Sequence, residues 1–356
     1  MLFYNFIMNT KPVRMMAQTV LSNMVLLGAL SGALSPPSAH ARSPIPIPDI
    51  YEDGYVAAVW NFRNDEAKAL KTMKRIAATG AKRFIIPYFG CQKDVTSSAV
   101  GTCEVKMPVT PAFLAKMAAL AGMKPSYLPL VITPDWKWRG YFKPDDVDEW
   151  FKSYTGWLVP IAREAQRLGM RELVAGTEFS ILYKYENKWR ELVRTLRKTF
   201  TGAILVTVNW DDINHNFWDE FDAIGMSAYF PLSRVDNPPQ EELDKAWRKK
   251  HRELLKHFAK WQRPIEFTEV GYPSVPHAAR TPWASPSKDS PQDLALQARC
   301  FEAFRKAWHG EKNLARLTVW ATGDPSSQDA RLGFETIGKP AEKSISRFFE
   351  ERSHLR

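Results

Sequence analysis

Two glutamates define the chemistry this chain could perform. Val174-Ala175-Gly176-Thr177-Glu178 and Ile265-Glu266-Phe267-Thr268-Glu269 are apolar runs that each end in a carboxylate. Such a run reads as a buried parallel strand that delivers an acid to the rim of a barrel. Ninety-one residues separate Glu178 from Glu269, or about three strand–helix units at roughly 30 residues each. Strands three apart around a closed barrel face each other across its mouth. Paired carboxylates there can cleave a glycosidic bond. One must keep a proton while the other stays ionised. A hydrogen bond from a tyrosine such as Tyr229 would favour the ionised partner. Taken singly, each glutamate also reads as an ordinary rim residue.

The elements that must position these acids recur in order. Strand-like runs cover Tyr55–Phe62, Arg83–Phe89, Ser126–Thr133, Glu172–Thr177, Ala203–Asn209, Ala223–Tyr229, Ile265–Thr268 and Arg316–Ala321. Helical patterns separate most of them. Asp65 to Thr79 stops at Gly80, and Thr110-Pro111 opens a helix with a cap and a first-turn proline. Asp145 to Leu168 is a long helical stretch with Pro160 as a kink or break. Glu186–Phe200, Gln240–Trp261, Pro291–Trp308 and Pro340–Glu351 supply further helices, while Asp211 to Asp222 has room for one turn. Eight such units predict a single-domain (β/α)8 TIM barrel of the α/β class. A doubly wound sheet would show a Gly-rich loop after its first strand, and Trp60-Asn61-Phe62-Arg63-Asn64 is not one.

The predicted strand ends are rich in sugar-compatible side chains. Trp60 and Asn61 lie at the end of the first, Trp136 and Trp138 follow the third, Asn209 and Trp210 end the fifth, Tyr272 follows the seventh, and Trp320 lies at the end of the eighth. Aromatic faces suit sugar C–H faces, and Asn or Tyr suits hydroxyls. A single tryptophan is more often core than platform, but here several recur at one end of the barrel.

The chain begins with a leader pattern. Lys11 and Arg14 precede an apolar stretch from Met15 to Leu34, Ser35-Pro36-Pro37-Ser38 breaks it, and Ala39-His40-Ala41 is an A-x-A cleavage site. This divides the chain into a signal peptide (1–41), an extended proline-rich linker (42–50) and the barrel (51–356). Export to the periplasm or the medium is expected, with no stable membrane span after cleavage. Cysteine usage agrees. Cys91 and Cys103 flank a polar loop that a disulfide could close, while Cys300 sits in a helical pattern as a free thiol.

The formal charge of +10 falls to +8 without Lys11 and Arg14. The cations are spread over helices and interleaved with acids and tryptophan, as solvated outer faces are. No compact basic run or nucleic-acid fold motif occurs, so no nucleic-acid partner is expected. The segment Gly333 to Pro340 nearly spells a phosphate loop but has Pro340 where Ser or Thr would bind magnesium. Asp211, Asp212 and His215 match no common metal spacing. No G-x-S-x-G elbow is present. Neither a metal nor a cofactor is expected.

With these residues laid out, the chain resembles glycoside hydrolase family 113, within the clan A retaining TIM-barrel glycosidases. The resemblance is carried by Gly176-Thr177-Glu178, Phe267-Thr268-Glu269-Val270-Gly271-Tyr272, Gly333-Phe334 and Gly338-Lys339-Pro340-Ala341. It implies that Glu178 is the acid/base, that Glu269 is the nucleophile oriented by Tyr229, and that Trp320 is a sugar platform. It also implies a β-mannan-like polysaccharide or oligosaccharide substrate. One departure stands out. Most of clan A has Asn before the acid/base, contacting the sugar 2-hydroxyl, and here Thr177 occupies that place. An alternative reading is a non-catalytic glycan-binding or envelope-assembly protein on a glycosidase-like barrel.

Overall fold

The computed structural model describes residues 51–103, 107–322 and 331–355. The leader and linker lie outside the described residues. Eight parallel strands close into a barrel: β1 (Gly54–Ala57), β2 (Arg83–Cys91), β4 (Lys124–Ile132), β5 (Glu172–Thr177), β6 (Ala203–Asn209), β7 (Ala223–Ser227), β8 (Ile265–Val270) and β9 (Leu314–Thr322). Closure comes from β1, which pairs with both β2 and β9. The two-residue β3 (Gly101–Thr102) folds back antiparallel onto the end of β2. The eight predicted strands all form. The first is shorter than expected, because its chain coils into a 3-10 turn over Val59–Asn61.

Seven α-helices cover the barrel among the described residues: α1 (Glu66–Ala77), α2 (Pro111–Leu120), α3 (Val147–Arg167), α4 (Glu186–Arg197), α5 (Gln240–Phe258), α6 (Leu294–Trp308) and α7 (Ala341–Ser353). Their starts follow local chemistry. Asp65, Thr110, Asp146 and Asp293 each accept a backbone N–H of the first turn. Between β6 and β7 there is only a 3-10 turn, Trp218–Glu220. Helix α3 runs unbroken through Pro160. Its apolar face, with Trp150, Tyr154, Trp157 and Leu158 buried, holds the element in place by packing.

Strand alternation sorts the residues of β8. Phe267 points out among Trp247, Phe304 and Trp308 of α5 and α6. Glu266 and Thr268 point in. Glu266 meets Arg83 and Arg316, and Thr268 meets Thr207 across the barrel at 3.0 Å. Register shifts then fall between Met226 and Ser227 and between Phe267 and Val270. Such bulges re-aim the side chains at a strand end. Here they turn Glu269 to the cleft. Two residues on is Gly271, where any Cβ would stand 2.6 Å from the Trp320 carbonyl oxygen.

The rim is tied down from behind. The Lys339 ammonium, in the segment that resembled a phosphate loop, donates to Ser274 Oγ at 2.8 Å and to the Gly333 carbonyl at 3.2 Å. Burial pushes that amine down to about 8. The contact staples the segment after β9 to the segment after β8. The Cys91–Cys103 disulfide, foreseen from the polar loop, closes the hairpin at the end of β2. Cys300 is a buried free thiol.

Candidate active site

Glu178 and Glu269 line one cleft at the C-terminal end of the barrel, with Trp60, Trp136, Trp138 and Trp320 as aromatic walls. Both carboxyls are largely buried, at 7% and 6% exposure. Glu178 leaves β5 with a φ of +55°, and its N–H donates to the Thr207 carbonyl at 2.7 Å. A left-handed backbone is costly for a side chain of this size and persists only where the surroundings enforce it. They do so here. Phe179, the next residue, packs among Trp150, Tyr154, Tyr183 and Trp189. A Cβ at Gly176 would stand 2.7 Å from the Trp189 ring.

The polar contacts differ between the two acids. The Trp138 indole N–H donates to Glu178 Oε2 at 2.7 Å, and Arg139 Nη1 donates to the same oxygen at 3.1 Å. The Tyr229 hydroxyl donates to Glu269 Oε2 at 2.9 Å. Burial first, and then the negative charge of Glu178, push the Glu269 carboxyl up to about 8. Arg139 and the Tyr229 hydrogen bond oppose that rise. Burial and the neighbouring Glu178 charge thus favour the protonated form of Glu269 in the free enzyme. One protonated and one ionised carboxyl is the state that glycoside cleavage needs.

The other expected site residues divide. Trp60, Trp136 and Trp320 face the cleft. Trp138 also lines it, but its ring packs over Gly140 and Tyr141 and its N–H is committed to Glu178. Trp210 lies further round the rim, stacked on Trp283 at 5.4 Å between ring centres. Asn61 and Asn209 are buried and turned to neighbouring acids, Asn61 to Glu335 at 3.0 Å and Asn209 to Asp211.

Two expectations need correction. Thr177 is fully buried, and its hydroxyl donates to the Pro129 carbonyl at 3.1 Å. It locks β5 to β4 and presents nothing to a sugar. Tyr272 is also fully buried. Its hydroxyl accepts the Trp247 N–H at 2.9 Å, because the chain past Gly271 turns it toward α5 and α6. The sequence reading missed Phe89, Leu130 and Arg139 in the cleft wall. The first two looked like plain core residues of their strands. Arg139 sat in a loop with no pattern to single it out.

A sequence profile of glycoside hydrolase family 113 matches residues 54–327. The chain belongs to glycoside hydrolase family 113. It is therefore a glycoside hydrolase on a (β/α)8 barrel. Solved structures agree on the fold. A family 113 β-mannanase from Alicyclobacillus acidocaldarius, solved in complex with ManMIm, superimposes with a TM-score of 0.75 at 22% identity, over 88% of this chain and all of that one. A second family 113 enzyme, a β-1,4-mannanase, gives 0.71 at 20% identity over 85% and 98% of the two chains. A GH5_18 variant from Streptomyces cattleya in complex with Manβ1-4GlcNAc gives 0.56 at 13% identity over 84% and 80%. No curated protein matches the chain in sequence.

Proposed function

We propose that this hydrolase cleaves a β-mannan-like polysaccharide with retention of configuration, using Glu178 as acid/base and Glu269 as nucleophile. The observation that carries this reading is the convergence of two buried carboxyls, Glu178 and Glu269, in one tryptophan-walled cleft. The two family 113 neighbours described as mannanases support the substrate class.

In the first step the Glu269 carboxylate attacks the anomeric carbon. The glycosidic C–O bond breaks, and the leaving oxygen takes the proton of Glu178. In the second, the Glu178 carboxylate takes a proton from water, whose oxygen attacks the same carbon and expels Glu269. The Tyr229 hydroxyl steadies the carboxylate at each return of its charge. Trp60, Trp136 and Trp320 supply the stacking walls. The leader pattern supports export to the periplasm or the medium, where polysaccharide is met.

The decisive experiment incubates the mature enzyme with mannan, glucomannan, glucan, galactan, xylan and uronate polymers and reads products by mass spectrometry. Release of mannose-containing oligosaccharides is expected. Glu178→Gln and Glu269→Gln should each lower turnover by about a thousandfold or more while the proteins melt normally. Binding across the panel with no cleavage of any polymer would overturn the proposal in favour of a glycan-binding role.

A further inference from the structure

Arg139 is a cation in the cleft that the two-glutamate reading leaves without a role. Its side chain is 10% exposed. A guanidinium so far removed from water persists only where anions offset its charge. It reaches Glu178 directly and is close enough to Glu269 to draw that carboxyl down. Few other groups compete. Tyr229 meets Glu269, Tyr154 stands near Arg139, and Tyr183 stands near Glu178. Burial pushes Tyr154 and Tyr183 up, so both stay neutral. Asp135 and Lys137, on the same loop, are half exposed and pair with each other at 3.1 Å.

The charge count in the cleft is then simple. Two carboxyls with one proton carry one negative charge, and Arg139 cancels it. The protonation state that the reaction requires is the electroneutral one. Remove the guanidinium, and neutrality is reached only when both carboxyls hold protons. The contact also selects an oxygen. Oε2 of Glu178 already accepts two N–H groups, from Trp138 and Arg139. A proton on this carboxyl is left with Oε1.

We propose that Arg139 is a positioning residue for the hydrolysis, setting the pH window in which the pair holds one proton and leaving Oε1 as the oxygen of Glu178 from which a proton is delivered. The proposal rests on the reading of Glu178 and Glu269 as the catalytic pair. Its test does not depend on turnover. The carboxyl protons are followed by difference infrared spectroscopy on ligand-free enzyme, with E178Q and E269Q identifying the bands.

Arg139→Met should move the first carboxyl deprotonation of the pair up by about one unit or more, since an adjacent opposite charge is worth that much. Arg139→Lys should hold it near the wild-type value. Where substrate is turned over, the acid limb of kcat/KM should move with the infrared titration. If Arg139→Met does not fold, Arg139→Gln, polar but uncharged, carries the same expectation. A neutral variant that titrates as wild type overturns the role of Arg139. Full activity in E178Q or E269Q overturns the catalytic pair instead, whatever Arg139 does.

Discussion

At the scale of single residues, one hydrogen bond favours the charged form of the proposed nucleophile against its burial. Tyr229 donates to Glu269 and so lowers the pKa that burial and Glu178 raise. Tyr229→Phe removes that donor without opening a large gap. The Glu269 carboxyl should climb further, and the acid limb of the kcat/KM profile should move to higher pH by up to about one unit. Turnover near neutral pH should fall about tenfold, as one unit of pH implies. Kinetics across the pH range check this, and an unmoved acid limb would remove Tyr229 from the mechanism. The two glutamates and the strand-end tryptophans were legible in the sequence because an apolar strand ending in a polar or aromatic residue is itself a pattern. The Trp138 contact was not. Its indole reaches an acid 40 residues away, and only the turn over Arg139–Tyr141 aims it there. Tyr272 misled for the converse reason. It sits at a strand end, yet the bulged backbone turns it to the helices.

At the scale of elements, local signals fixed most boundaries and packing decided the rest. The cap at Thr110 and the proline after it placed the start of α2 to the residue. The short span between β6 and β7 left no room for a helix, and a 3-10 turn formed. Pro160 had read as a kink or break, but a helix with this much buried aromatic surface tolerates one missing N–H. The hairpin at the end of β2 owes its closure to covalent chemistry. Cys91 and Cys103 stand 12 residues apart, and a loop of that size stabilises the folded chain by about 3 kcal/mol on the entropic account. Melting with and without dithiothreitol should separate by several degrees. A Cys91→Ser, Cys103→Ser double variant should melt low in both conditions. If reductant leaves the wild-type midpoint in place, the bond contributes nothing to stability.

Across the whole molecule, the two ends of the barrel carry different charge arrangements. The cleft end holds two acids that repel each other. The opposite end holds a closed square, in which Arg83 and Arg316 each pair with both Glu172 and Glu266. All four side chains are at most 4% exposed. Strand alternation alone sets Glu266 opposite its apolar neighbours Ile265 and Phe267. It could not say that the side chain would enter the barrel, because Arg83 lies 183 residues away and only closure brings them together. Such a layer replaces the branched apolar residues that usually fill a barrel floor. Breaking it should be far more damaging than replacing it. Glu266→Gln leaves two buried guanidinium groups short of one charge and should cost about 3–5 kcal/mol in denaturant unfolding. Exchanging all four residues for apolar ones of similar volume should be close to neutral or stabilising. In either protein, turnover per folded molecule should stay near that of the wild type, since the square lies at the end remote from the chemistry. A Glu266→Gln enzyme that keeps full stability would show that the arginines find other partners, and one that folds well but loses turnover would show that the two ends are coupled.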